Sequence, residues 1–356
     1  MKRYLIPVAV IFLSAFFTRN SAAQIISNKM FSLGTYGRVG AGFSPAIKGN
    51  IGRSLNLNGM GSVGGRMEEA DYAELVAAFH YKTPGQKSDT TPINVQARMA
   101  MYSGKGQLIG NVNSTNYGGV AFALPELYAQ ADHIMGSKWS AWVGAKFFRG
   151  NDVHIADYYY FDDHSSQGFG VTYDKTTLAV LFPGNIDTNS SVPPNFYVSI
   201  IDGTPRAGLR GRSMIVAEQV FPLNDNRQTL KLLAEFHHLA DASAEDTATA
   251  FNYPSAGGWV AGAQLVSTLS TKITGSFNQA AIRYGHGIAN GGDGGNTRTW
   301  LTYGAPDLAT NKFSTAYSFT MVDHFLLNLS PKYSLNGYGI FTNSHGAAAS
   351  HNKAPD

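Results

Sequence analysis

The sequence contains no cysteine. A disulfide framework, a thiolate metal site and a cysteine nucleophile are therefore excluded. Charge is also scarce. Only 14% of the 356 residues are Asp, Glu, Lys or Arg, where a soluble enzyme carries about a quarter. Helical periodicity is missing as well: nowhere do apolar residues recur at helical spacing over three turns, and there is no internal repeat or block of like charge. The one long apolar run is at the N-terminus, and nothing after it is long enough to cross a bilayer as a helix of ~20 residues.

That N-terminal run, Tyr4 to Phe17, follows the basic pair Lys2-Arg3 and precedes the small residues Ser21-Ala22-Ala23. This is the pattern of a secretory signal peptide cleaved before Gln24, so residues 1–23 are read as a signal and residues 24–356 as the mature domain. A membrane anchor is the other reading, for which the run is short. Cleavage removes Lys2, Arg3 and Arg19 and no acid, which leaves basic side chains equal in number to the 24 acidic ones. The formal charge of +3 thus belongs to the signal, and the charge balance does not point to nucleic acid as a partner.

What is present is alternation. In "PINVQARMAMY", Ile93, Val95, Ala97, Met99 and Met101 share one face, and Asn94, Gln96, Arg98 and Tyr102 share the other. In "DYAELVAAFHY", Ala73, Leu75, Ala77, Phe79 and Tyr81 oppose Tyr72, Glu74 and His80. In "FSLGTYGRVGAGF", Phe31, Leu33, Val39, Ala41 and Phe43 oppose Ser32, Tyr36 and Arg38. "TLKLLAEFHH" and "TLAVLF" alternate more weakly. Strands place successive side chains on opposite faces, so each segment has an apolar and a polar side. Two all-β architectures fit: a secreted sandwich or barrel with apolar faces inward, and a transmembrane antiparallel β-barrel with apolar faces toward lipid. The membrane barrel is favoured by segments of ~9–11 residues and by aromatic residues at segment ends, Phe31, Phe43, Tyr81 and Tyr102. Polar faces that carry Arg, Glu, Gln and Tyr also suit a wet lumen. The Gly- and Asn-rich stretches "KGNIGRSLNLNGMGSVGG", "GNVNSTNYGG" and "GIANGGDGGNTR" read as long loops at one end. "KTPGQKSDTTP" and "FPLNDNRQ" read as turns at the other. Gly59, Gly61 and Gly64 match G-x-G-x-x-G without a strand before them or a helix after them, so a dinucleotide site is not expected.

The chemistry concentrates in "NDVHIADYYYFDD", residues 151–163. Asp152 and Asp157 admit a glycosidase reading as acid and nucleophile or base. They also admit sugar binding without reaction, since charged groups form the stronger hydrogen bonds to hydroxyls and aromatic rings stack on pyranose faces. The bland reading is a solvated acidic loop, with Asp162-Asp163 typical of one. His154 has no second ligand at metal-site spacing, and His237 and His238, being adjacent, face opposite ways on a strand. No metal site and no cofactor are expected. Trp139 and Trp142 have opposite parity, so one faces the lumen; Trp259 and Trp300 read as girdle or loop residues.

The segment "WSAWVGAKFFRGNDVHIADYYYFDD" resembles the pore-constricting segment of the maltoporin and sucrose porin family, in W-x-G-x-[KR]-[FY], then D-V-H, then D-[FY]-Y-[YF]. "TYGRVGAG" is similar to that family's first strand and "RMEEADYAEL" to its second, with weaker similarity at "GWVAGAQ" and "VDHFLL". The resemblance implies an eighteen-stranded barrel of the bacterial outer membrane, about two thirds of it covered by this chain. It implies a homotrimer in lipid, not an enzyme, that passes oligosaccharides by passive diffusion, with a constriction loop at about residues 146–170. Carried over by residue, Tyr36 and Tyr72 take aromatic-track positions, and Arg38, Arg66, Glu74, Asp152, Asp157 and Tyr159 take polar-track positions. The family's constriction arginine falls on Gly150, and Arg149 is the candidate to replace it. Another family arginine falls on Pro125 and a later track ring on Ala261; Tyr117 stands in for a tryptophan donated by the neighbouring subunit. Because the chain ends on polar "NSHGAAASHNKAPD" and not on an aromatic strand, a C-terminally incomplete barrel is expected, with a smaller closed barrel of ~12–14 strands as the alternative. A saccharide-selective channel for malto-oligosaccharides or similar sugars is the leading functional expectation. A general porin, an outer-membrane glycoside hydrolase and a soluble binding protein remain beside it.

Overall fold

The structure is a computed structural model. It describes residues 26–38, 72–85, 90–103, 120–153, 158–183, 196–201, 204–209, 212–244, 251–269, 273–289 and 315–345. The strands in chain order are β1 (Ile26–Ser27), β2 (Phe31–Arg38), β3 (Tyr72–Lys82), β4 (Pro92–Ser103), β5 (Val120–Ala131), β6 (Trp139–Lys146), β7 (Asp152–Val153), β8 (Tyr158–Tyr159), β9 (Ser166–Tyr173) and β10 (Thr176–Leu181). They continue as β11 (Phe196–Ile201), β12 (Thr204–Leu209), β13 (Arg212–Leu223), β14 (Gln228–Leu239), β15 (Ala242–Ala244), β16 (Phe251–Tyr253), β17 (Ala256–Thr268), β18 (Phe277–Gly287), β19 (Tyr317–Ser330) and β20 (Tyr333–His345). Among the described residues no helix is long and apolar enough to cross a membrane.

Fourteen strands form one antiparallel meander in the order β1-β2-β3-β4-β5-β6-β9-β10-β13-β14-β17-β18-β19-β20. Every neighbour in the sheet is also a neighbour along the strand sequence, apart from three hairpins that sit in connections: β7-β8, β11-β12 and β15-β16. Among the described residues the sheet is open, with β1 and β20 at its ends. The alternating segments are its strands where they are described; Val39, Ala41 and Phe43 lie outside the described residues. Phe79, Val95 and Met99 are exposed on one face, while Glu74 and Arg98, of the opposite parity, bond to each other on the other face.

The connections alternate in length. Those after β3, β5, β9, β13, β17 and β19 are short. Asp174 and Asn224, Asp225 and Asn226 take positive φ in two of these turns, a conformation that Asn and Asp tolerate best after glycine. The Gly-rich stretches join β2 to β3, β4 to β5 and β18 to β19 at the other end. The exception among the long-end connections is 147–165, which folds back over one face of the sheet; that face is the inner one below. The loop is shorter than the expected 146–170, because Ser166–Tyr173 already pairs with both β6 and β10.

The outer face is apolar, with Phe122, Leu124, Val143, Phe169, Leu178, Ile215, Leu232, Phe236 and Ile282 exposed on it. Toward the long-loop end, Trp259, Tyr284, Tyr317 and His345 form a row of neighbouring rings with centroids 5.3, 5.8 and 5.5 Å apart. This is the aromatic border expected where a barrel meets the membrane–water interface. Trp139 lies on the outer face and Trp142 is buried on the inner one. Ala261 is exposed on the outer face beside Trp259. At β4-β5 two residues, Leu124 and Pro125, oppose the single residue Met99. A bulge accommodates a proline that cannot donate to the ladder. It also shifts the parity of β5, so that Glu126 points inward and is buried.

Candidate functional site

The inserted loop is held by an apolar anchor, a buried charge network and a polar contact at its start. In the apolar anchor Val153, Tyr160 and Phe161 are enclosed among Ala179, Leu181, Met214, Val216, Leu233, Ala281 and Val322 of the inner wall. Enclosing each large side chain contributes about 1.5–3 kcal/mol. Phe161 fits only because β17 carries glycine beneath it: a Cβ at Gly262 would lie 2.9 Å from the Phe161 ring. Tyr160 packs edge-on against His324 of β19, with ring centroids 5.5 Å apart.

In the charge network, Lys231 of β14 donates to Asp162 of the loop and lies 2.9 Å from Glu218 of β13. His164 donates through Nε2 to Glu235 Oε1 at 2.8 Å. Arg283 of β18 donates to the same oxygen at 2.6 Å, and His237 donates from Nε2 to Glu235 Oε2 at 2.8 Å. Arg212 donates to His237 Nδ1 at 3.1 Å, which fixes that imidazole's tautomer. Asp162, Asp163 and His164 are all buried, so the solvated acidic loop is corrected: the wall supplies partners that the sequence pattern did not reveal. Burial opposes ionisation of Asp162, but Lys231 and then His164 outweigh it and hold the carboxyl below its ordinary range. Burial likewise disfavours a charged His164, and Glu235, Glu218 and Asp162 overcome it and raise the imidazole's pKa. Burial, assisted by Asp152 and Asp162, pushes the Tyr160 hydroxyl upward.

At the start of the loop, the Phe147 amide donates to Glu126 Oε1 at 3.0 Å. Glu126 Oε2 accepts from Gln96 at 3.0 Å and from Arg98 Nε at 2.6 Å. Arg98 also donates to Glu74 Oε2 at 2.5 Å, and the Tyr72 hydroxyl donates to Glu74 Oε1. A loop that meets β4 and β5 here and β13 to β19 at its far end requires the sheet to curve round it.

The sequence-expected residues separate accordingly. Tyr36 and Glu74 are cross-strand partners, and the Tyr36 ring lies 6.0 Å from Tyr72. Arg98 joins this group to the loop, standing 5.0 Å from the Phe147 ring. The Arg149 guanidinium then stacks on Phe147 at 4.1 Å and on Tyr159 at 4.4 Å, and Tyr159 pairs with Asp152 in the small hairpin. Tyr36, Tyr72, Glu74, Arg149, Asp152 and Tyr159 thus belong to one inner-face region. Arg38 is placed by its backbone opposite Tyr72; its side chain, and Arg66, Tyr117 and Asp157, lie outside the described residues. Gly150 cannot be replaced by a larger residue without a shift, since a Cβ would fall 1.9 Å from Asp162 Oδ1.

Arg98, Gln96 and Glu126 were not among the expected site residues. Alternation had put Gln96 and Arg98 on the polar face, so their signal was present; Glu126 was hidden by the bulge. The assembly offers rings, ionised carboxylates and guanidinium groups side by side. Glu74 and Glu126 share Arg98.

A family profile described as LamB porin matches residues 31–354. The chain belongs to this family. Among curated proteins it is similar to the maltoporin of Vibrio cholerae serotype O1 El Tor Inaba N16961, with 25% identity over 176 residues, 48% of this chain and 39% of that protein. The maltoporin of the Classical Ogawa 395 strain matches at 25% over 176 residues, 48% of this chain and 38% of that protein. The matched region thus spans well under half the length of these relatives. Family membership fixes the architecture as a transmembrane antiparallel β-barrel, of which the open fourteen-stranded sheet is the described part. In that setting the apolar outer face is the lipid side and the loop-bearing inner face is the lumen side.

Proposed function

We propose that this protein forms an outer-membrane diffusion channel selective for saccharides, with the inserted loop as its constriction. The observation that carries the reading is the continuous inner-face array from Tyr36 and Tyr72 through Glu74 and Arg98 to Arg149 and Tyr159. Rings supply apolar faces for pyranoses. The charged groups exchange hydrogen bonds with hydroxyls, and each contact is weak enough to release. The Arg149 guanidinium lies over the Phe147 and Tyr159 rings, and its N–H groups are the donors that can meet a passing sugar. Asp152 and, from the resemblance, Arg38, Arg66, Tyr117 and Asp157 complete the proposed path.

Transport on this reading is passive and uses no cofactor. The working form is a homotrimer in outer-membrane lipid, reached after cleavage of the signal at residues 1–23. The relatives are named maltoporins, which makes malto-oligosaccharides the first substrates to try. The test is single-channel current in a planar bilayer, titrated with maltohexaose and then sucrose. Saturable, sugar-dependent block that weakens in Arg149→Ala supports the reading. A steady channel that no saccharide blocks makes the protein a general porin instead.

A further inference from the structure

The contacts that dock the loop leave several enclosed atoms without a hydrogen bond, two of them side by side in the loop. Asp162 Oδ1 and His164 Nδ1 are buried, and neither has a hydrogen-bond partner. Glu218 on β13 stands beside both residues. His164 Nδ1 lies 3.8 Å from Glu218 Oε1, and one ligand atom from each of Asp162, His164 and Glu218 lies within 4.8 Å of the other two. Sequence spacing gave no hint of this group, because Glu218 reaches the loop only through the curvature of the sheet.

The His164 nitrogen is poorly served in either proton state. Its Nε2–H is committed to Glu235. A neutral ring then turns the Nδ1 lone pair toward carboxylate oxygens, which are acceptors too. A charged ring leaves a buried N–H with no acceptor at bonding distance. The carboxylates of Asp162, Glu218 and Glu235 face the cations Lys231 and Arg283, and Arg212 stands behind them on His237. Lys231 bonds Asp162 through Oδ2 and lies 2.9 Å from Glu218 Oε1, which leaves Asp162 Oδ1 and His164 Nδ1 without a hydrogen-bond partner.

We propose that Asp162, His164 and Glu218 bind one divalent first-row transition-metal ion, which clamps the inserted loop to β13. One imidazole nitrogen with two carboxylates suits Zn²⁺, Mn²⁺ or Fe²⁺ better than Mg²⁺ or Ca²⁺, which prefer all-oxygen shells. Glu235 behind His164 provides the carboxylate that commonly orients a ligating imidazole. Ligand atoms ~2.0–2.2 Å from zinc stand about 3–4 Å apart, so side-chain rotation closes the site. Lys231, on Asp162 Oδ2 and Glu218 Oε1, is the cation against which the metal competes. The site lies under the loop and loads as the loop docks.

The test uses the full chain folded in detergent, stripped with EDTA and titrated with Zn²⁺ alone by calorimetry, with metal content measured after gel filtration. No sugar is present, so the outcome is independent of the channel reading. The expected result is one Zn²⁺ per chain, with affinity lowered more than about 100-fold in His164→Gln and in Glu218→Gln, beyond the ~10–100-fold typical of outer-shell changes. Lys231→Met keeps all three ligands, removes the competitor and binds more tightly. Should the ligand variants not fold, Co²⁺ titration of the unaltered protein reads the site directly through the ligand-field bands of an imidazole-bound ion. Absence of stoichiometric Zn²⁺, binding that survives both ligand substitutions, or Co²⁺ bands without imidazole ligation overturns the proposal.

Discussion

His164 of the inserted loop and Glu235 of β14 meet at 2.8 Å with both side chains enclosed. Glu235 is also the shared acceptor for Arg283 and His237, so one wall carboxylate organises three cationic or donor groups. Glu235→Gln keeps the shape and removes the charge. It leaves Arg283 buried without its counterion, a loss of about 3–5 kcal/mol for a buried pair. The expected outcome is a lower denaturant midpoint for the detergent-folded protein, together with added flicker in single-channel current as the loop loosens. Unaltered midpoint and current noise would show that the loop is held elsewhere.

Phe161 and Gly262 form the apolar counterpart of that anchor. Phe161→Ala removes a fully enclosed ring and costs about 3–5 kcal/mol. Gly262→Val pushes into the same space from the wall, where a Cβ already lies 2.9 Å from the ring. Both variants are expected to raise mean conductance by displacing the constriction. The double variant should lose less than the sum of the two, because the valine partly refills the space left by the ring. Strict additivity in a denaturation cycle would argue against their contact.

Arg98 spans Glu74 and Glu126 and sits over Phe147. Arg98→Gln leaves two inner-face carboxylates uncompensated beside the start of the loop. Sugar block is expected to weaken about tenfold, equivalent to about 1.4 kcal/mol, and the open channel should become more cation-selective. Reversal potentials in a salt gradient measure the second effect independently of any sugar.

Arg149→Lys tests the stacking as distinct from the charge. An ammonium keeps the charge and loses the planar contact with Phe147 and Tyr159, so the exchange is not conservative here. Block by sugar is expected to weaken several-fold, about 0.5–2 kcal/mol, with ion selectivity unchanged. Block that is unchanged in the lysine variant would mean that charge alone explains the role of Arg149.

Much of the wall was legible in the residues. Tyr72, Glu74 and Arg98 were assigned to the polar faces of "DYAELVAAFHY" and "PINVQARMAMY", and they lie on the inner face. Side-chain direction along a strand repeats every two residues, a local property that needs no partner. The ends of the strands were legible for the same reason, since Asn224, Asp225 and Asn226 announce a tight turn. The bulge at Leu124 and Pro125 was not read, and with it Glu126 was lost, because one extra residue reverses every later side chain.

The docking of the loop belongs to the tertiary structure alone. "YYYFDDH" looks like a polar, solvated stretch. Yet Phe161 reaches Gly262, Asp162 reaches Lys231 and His164 reaches Glu235. These partners lie far along the chain. They are brought under the loop by the register and curvature of the strands between them. A period of two says which face a residue occupies; only the curved sheet decides what that face meets.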